Sequence, residues 1–468
     1  MLEVAKIFDL IIEHGQVFLQ GTLVSCALGI QNGQIEAILN DAGSMQAKTR
    51  IDAKGKIVLP GGIDTHVHFR DPGNSERETF ETGSAAAASG GVTLVLEHPV
   101  SNPPQYNKEI LDIRKKVAQP QAHIDYMFYG AAGGEFTNEI VPLSKEGIAG
   151  YKSFLHVPPK GREKEFTGLT MSDDGQIYDV FHEIAKTGMI SAVHCENDEI
   201  IRRLIARFTS EGRTDLKAHI ESRPLISEVE CIEKMIRMAR ETGVTLLCAH
   251  VSSAEGMELI KQAKAKGQKI YAETCPHYLI LDESDFYRVG PYARCNPPLR
   301  PREEADKLWK YVNDGTVDFM ASDHSPFLPT EKEVGFTNIF MAGSGLIGID
   351  LRVPLTLDCV NKGQLSLAKA VDLLSTNAAK AFNVFPRKGA IQIGADADLM
   401  IVDMNQETVV DHRNCYSKSA ASSRVYEGRK LSCKITHTIC RGRIVMEDGK
   451  VSPSTTGWGK LVVPNRAE

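Results

Sequence analysis

The chain has 468 residues, 42% of them hydrophobic and 24% charged, with a formal net charge of −6. That length exceeds what one hydrophobic core ordinarily supports and points to two domains, one of them large. The charge leaves no basic footprint for nucleic acid, and no apolar run approaches a membrane span.

The first fifty or so residues read as short strands. Phe8-Asp9-Leu10-Ile11-Ile12 and Gln34-Ile35-Glu36-Ala37-Ile38 are β-rich, and Gly15 and Asn32-Gly33 punctuate them as hairpin turns. The opening Met1-Leu2-Glu3-Val4-Ala5-Lys6 lacks the charged-then-apolar build of a signal peptide. The middle of the chain alternates. Apolar strand-like runs fall at 56–68, 92–97, 124–130, 148–155, 190–195, 245–251, 270–275 and 317–322. Helical patterns lie between most of them. One opens at Ser227-Glu228 and stops at Gly243; another runs from Glu258 to Lys266 and stops at Gly267. Such alternation predicts an α/β fold, a (β/α)8 TIM barrel. An open doubly wound sheet would carry a Gly-rich phosphate loop, which Ser89-Gly90-Gly91 and Gly133-Gly134 do not form. The C-terminal end is again β-type: Asp398–Asp403, Ile435–Ile439, and Arg443–Met446 before Asp448-Gly449. We therefore expect a small β-sandwich domain from both termini, residues 1–55 plus 386–468, around a barrel at 56–385.

Ten cysteines are present and none form a Cys-x-x-Cys pair. They lie mostly in apolar runs such as Leu247-Cys248-Ala249, as reduced, buried thiols of a cytoplasmic protein do.

Barrel strands deliver chemistry at their C-terminal ends. The first run ends in His66-Val67-His68, and residues two apart on a strand share a face, so two imidazoles project together. The fourth run carries Lys152, the fifth ends at His194, the sixth at His250 and the eighth at Asp323. Each has a plain alternative. A strand-end histidine is often a hydrogen-bonded structural residue, a lysine can snorkel, and Asp323 can cap a helix. Six such residues at strand ends point jointly to a metal centre. His98, His156, His182, His219, His277 and His324 have no ligand spacing; His156, His277 and His324 remain possible contacts around the site.

In order and context, His66, His68, Lys152, His194, His250 and Asp323 resemble the binuclear amidohydrolase superfamily. Glu273-Thr274-Cys275-Pro276-His277-Tyr278, Cys295-Asn296-Pro297-Pro298-Leu299-Arg300 and Ser322-Asp323-His324-Ser325-Pro326 are similar to its cyclic amidases: hydantoinase and dihydropyrimidinase, allantoinase and dihydroorotase. The resemblance implies that His66, His68 and Asp323 hold one metal, that His194 and His250 hold the second, and that a carboxylated Lys152 bridges both. It implies two divalent ions, zinc first, with manganese, cobalt, iron and nickel as alternatives. It further implies a metal-bridging hydroxide as nucleophile and Asp323 as the proton-shuttling catalytic residue.

The ring is less determined. His68-Phe69-Arg70-Asp71-Pro72-Gly73 resembles dihydroorotase, where the arginine clasps a carboxylate. His98-Pro99-Val100-Ser101-Asn102 is nearer to hydantoinases, and Ser222-Arg223-Pro224 with His250-Val251-Ser252-Ser253 to allantoinase. The expected substrate is a small five-membered cyclic ureide, hydantoin or allantoin, opened to an N-carbamoyl product, with Arg70, Asn102 and Asn296 as substrate contacts. Dihydroorotase or dihydropyrimidinase activity is the alternative, and a non-catalytic hydantoinase-like scaffold the remote one. The resemblance also implies a homodimer or homotetramer, without nucleic-acid or membrane partners.

Overall fold

A computed structural model describes residues 7–465; the opening stretch 1–6 read above lies outside them. Eight parallel strands follow one another round a barrel. They are β1 (Gly62–Val67), β2 (Val92–Glu97), β3 (Asp125–Ala131), β4 (Gly150–Phe154), β5 (Ile190–His194), β6 (Thr245–Cys248), β7 (Ile270–Thr274) and β8 (Phe319–Met320). Pairing runs in sequence order from β1 to β8. The ring closes through a parallel bridge between Val67 and His324, just beyond β8. All the β1, β2, β3 and β5 residues are buried, as expected where helices cover a parallel sheet.

The predicted helices form where the apolar stripe placed them. Leu225–Thr242 buries Val229, Ile232, Met235 and Ala239 and ends on Gly243 at φ 77°. Ala254–Ala265 begins four residues before the expected start and stops ahead of Gly267 at φ 81°. Glycine fits both left-handed ends without a Cβ clash.

Two further sheets come from the chain ends. A seven-stranded sheet joins Thr22–Ser25, Gln16–Leu19 and Ile57–Pro60 to Leu399–Asp403, Lys434–Cys440, Arg443–Glu447 and Lys450–Val451. A four-stranded sheet holds Gln34–Leu39, Ala27–Gln31, Ile7–Glu13 and Gln46–Asp52. Their inner faces meet over Leu10, Ile12, Leu28, Ile30, Val58, Leu399 and Ile401. The Asn32-Gly33 turn has φ of 51° and 80°, the left-handed pair that a two-residue hairpin requires. In the other expected turn the left-handed residue is His14 (φ 62°), not Gly15.

The run at 56–68, expected as one strand, is two. Ile57–Pro60 pairs antiparallel with Leu399–Asp403 in the terminal sheet, and β1 starts at Gly62. Gly61 makes the switch possible: a Cβ there would lie 2.2 Å from Thr93 Oγ1. The last described residues also leave the terminal sheets. Leu461 bridges to Tyr126 and Val462 joins the apolar cluster inside the barrel.

Candidate functional site

The six strand-end residues converge at one end of the barrel. His66 lies on β1 and His68 directly follows it, Lys152 is on β4 and His194 ends β5. His250 and Asp323 follow β6 and β8 at φ 40° and 47°, and Arg70 follows β1 at φ 62°. Positive φ is uncommon and costly for residues with a side chain. Here it ends three strands with a sharp bend at the mouth.

Nε2 of His66 and of His68 lie 3.3 and 3.6 Å from the same Asp323 oxygen. Nδ1 of His194 faces Nε2 of His250 at 3.0 Å, and the His66 and His250 rings are 5.3 Å apart. Lys152 is fully buried, and its Nζ has no hydrogen-bond partner among the described residues. Burial pulls its amine down to about 8 and pushes the Asp323 carboxyl up to about 8. His66, His68 and His250 are all driven well below the ordinary histidine range, first by burial. Neutral imidazole is the form that binds a metal.

Two carboxylates that sequence reading did not single out fix these rings. His66 Nδ1–H donates to Glu273 on β7 at 2.7 Å, which leaves its Nε2 as a lone pair aimed at Asp323. Thr65 Oγ and the His250 backbone N–H also donate to Glu273, at 2.6 and 3.3 Å. His194 Nε2–H donates to Glu196 at 2.8 Å, which presents its Nδ1 to His250. Ring nitrogens of His66, His68, His194 and His250 and a carboxylate oxygen of Asp323 thus converge, and neither His68 nor His250 has a partner at Nδ1 among the described residues that would hold its proton on Nε2 or off it. That donor set fits a cation. Such outer carboxylates orient ligating histidines, so Glu273→Gln is expected to lower metal affinity by about 10- to 100-fold, read by competition with a chelator. Wild-type affinity in that variant would remove Glu273 from this role.

His98 also offers a nitrogen within 4.8 Å of those of His66 and His68. It is nevertheless no partner ligand to His66 in this geometry. Its ring stacks on His66 at 3.8 Å with only 6° between the planes. A metal lies in the plane of each imidazole that binds it, and two stacked planes cannot share one ion. His98 instead donates Nε2–H to the Thr65 carbonyl at 3.1 Å and walls off one face of His66.

Of the expected substrate contacts, Arg70 is buried. One terminal nitrogen donates to Ser325 Oγ at 2.7 Å, Nη1 lies 3.9 Å from a Glu165 oxygen, and Nε has no hydrogen-bond partner among the described residues. Asn296 Oδ1 is likewise buried and unpartnered. Asn102 lies against Gly73, and its backbone N–H donates to Pro72 at 3.1 Å. The remaining histidines divide. His156 is 6.3 Å from the His194 ring, His324 Nε2 is 3.2 Å from Glu78, and His277 has a buried, unpartnered Nε2 beside Tyr278. His219 donates to the Cys295 carbonyl at 3.2 Å, and His182 packs on Tyr178.

The Amidohydrolase family matches over residues 57–445. The chain belongs to the amidohydrolase family. Within it, this amidohydrolase falls among the cyclic amidases. It is 37% identical over 464 residues to an allantoinase of Rubrobacter xylanophilus, covering 98% of each chain. It is 33% identical over 463 residues to an L-hydantoinase of Paenarthrobacter aurescens, covering 98% of this chain and 99% of that one. Its fold is similar to that of a solved L-hydantoinase (dihydropyrimidinase) from Arthrobacter aurescens, with a TM-score of 0.92 and 32% identity over 97% of this chain and all of that one. Family membership and the converging donors imply divalent metal ions.

Proposed function

We propose that this amidohydrolase opens a five-membered cyclic ureide, hydantoin or allantoin, to an N-carbamoyl product. The observation that carries the reading is the convergence of four imidazoles, Asp323 and an unpartnered buried lysine at the barrel mouth. The allantoinase and the L-hydantoinase that the chain resembles support the ring class.

His66, His68 and Asp323 would hold one ion, most simply zinc, and His194 and His250 the other. Lys152 would bridge them after its amine adds carbon dioxide, forming an N–C bond and releasing a proton. That change removes an isolated buried ammonium, which is costly, and supplies an anionic two-oxygen ligand. Bound there, two divalent ions would supply Lewis acidity and lower the pKa of water. Asp323 takes the proton from the attacking water and delivers it to the leaving ring nitrogen. Arg70, Asn102 and Asn296 hold the ring from the rim, and Arg70 Nε and Asn296 Oδ1, which make no hydrogen bond to a described residue, are free to do so.

We also read the protein as a cytoplasmic homodimer or homotetramer. The ten cysteines are free, and among the described residues no helix is long and apolar enough to cross a membrane. The two-domain division is proposed at 1–55 plus 386–468 and 56–385, with the first boundary moved to Gly61 and residues 459–465 counted with the barrel.

An assay of allantoin, hydantoin, 5-substituted hydantoins, dihydrouracil and dihydroorotate tests this. Five-membered rings are expected to open, chelation to abolish turnover, and added zinc to restore it. Full activity after complete metal removal, or turnover of six-membered rings alone, would overturn the proposal.

A further inference from the structure

Most cations around the mouth have an acid beside them. Arg162 pairs with Glu165 at 2.6 Å, Arg77 with Glu331 at 2.6 Å, and Arg223 with Glu196. Arg294 has none. It is only 8% exposed, its Nε is buried without a partner, and its side chain forms no ion pair or hydrogen bond with any described residue. Burial and the neighbouring Arg223, with Arg162 also close enough to act, pull the guanidinium down to about 9. The Gly345 N–H donates to the Arg294 carbonyl, Gly345 packs on Ser325, and the Ser325 hydroxyl accepts from Arg70, so the Arg294 backbone stands beside the rim that carries Arg70 and Asp323. An isolated buried cation among like charges is a costly arrangement.

The backbone beneath it is held rigidly. The Arg294 carbonyl accepts from Lys332 Nζ at 3.1 Å and from the Gly345 N–H at 2.9 Å. The Cys295 carbonyl accepts from His219, and the Pro297 carbonyl from Tyr278 at 2.8 Å. A wall pinned at three carbonyls is a preorganised place for a side chain. Two residues along the same wall, the buried Oδ1 of Asn296 also lacks a partner.

We propose that Arg294 heads an anion subsite at the mouth of the metal centre, and that the preferred ring carries a carboxylate on the substituent of its saturated carbon. Guanidinium recognises carboxylate through two parallel N–H bonds, and water exclusion strengthens the pair. The inference rests on the ring-opening reading above.

The test pairs hydantoin-5-acetate with its neutral amide, in metal-loaded wild type and in Arg294→Met and Arg294→Lys, with metal content and circular dichroism recorded for each. Wild type is expected to favour the carboxylate ring in kcat/KM by about 10- to 100-fold, chiefly through KM. Arg294→Met brings that ratio close to one, and Arg294→Lys recovers part of it. A wild-type ratio near one, or the same ratio in Arg294→Met, would overturn the subsite. If neither ring is opened by metal-loaded enzyme, the ring-opening reading fails instead. Calorimetric binding of the two compounds then decides the subsite: tighter binding of the acetate, lost in Arg294→Met, upholds it, and equal binding sinks it.

Discussion

Lys152→Ala is expected to purify nearly free of metal and to lose turnover by about 10³- to 10⁴-fold, which is ~4–5.5 kcal/mol of transition-state stabilisation. The wild-type amine lies on the barrel axis side of β4, fully buried, with Glu273 and Asp323 as the charges that favour its protonated form. Neither reaches it as a hydrogen-bond partner. As a plain ammonium it repels cations brought to His66, His68, His194 and His250. As a carboxylated group it would attract them, and on the proposed reading removing the side chain would remove a ligand from both ions at once. Acetate or propionate, supplied in place of the missing side chain, is expected to restore part of the metal content and part of the rate. Bicarbonate should likewise speed metal uptake by the stripped wild-type protein. Metal analysis of Lys152→Ala is decisive: a metal content equal to that of the wild-type protein would end the bridging role.

The largest effect on stability is expected far from the metals. Lys388 is 2% exposed, and its Nζ lies 2.6, 3.0 and 2.5 Å from Asp125, Asp396 and Asp398. Asp125 begins β3, and Asp398 immediately precedes a strand of the terminal sheet, so one ammonium ties the two units together. Arg441 adds a second cation to Asp125 at 3.0 Å. Asp125, Asp398 and Cys440 could, on spacing alone, be taken for a metal site. Lys388 already occupies the position of the positive charge. Lys388→Met leaves buried carboxylates short of a counter-ion, a change that costs about 3–5 kcal/mol. Denaturant unfolding of the metal-loaded protein should show a loss of that size; less than 1 kcal/mol would mean that Arg441 and the backbone suffice.

Of the six candidate metal ligands, five stand at or just past the end of an apolar run and Lys152 stands inside one, where period and position carry information. His66 and His68 were legible from spacing, and Lys152 from the oddity of a lysine between Tyr151 and Phe154. Glu273 was quoted only as part of a motif. Its partner His66 is 207 positions away, and a buried glutamate inside a strand has no local signature. Glu196 and Arg294 are similar cases, since what makes them notable is a neighbour, or the lack of one, in space. The division at Gly61 was hidden because both strands that meet there are fully buried, so apolarity runs on unbroken. The bend depends on Thr93, which no local reading of residues 56–68 includes. The attachment of Leu461 and Val462 to the barrel was invisible for the same reason.

The pairing of Ile57–Pro60 with Leu399–Asp403 has a consequence for how the chain is made. On a ribosome adding ~5–20 residues per second, the earlier strand emerges roughly 340 residues before its partner, an interval of ~17–70 s. Throughout that time Leu10, Ile12, Val17 and Val58 lack the apolar surface of Leu399 and Ile401 that will later cover them. Nascent chains stalled before residue 399 should therefore recruit holding chaperones through their first sixty residues, while the barrel strands assemble behind them.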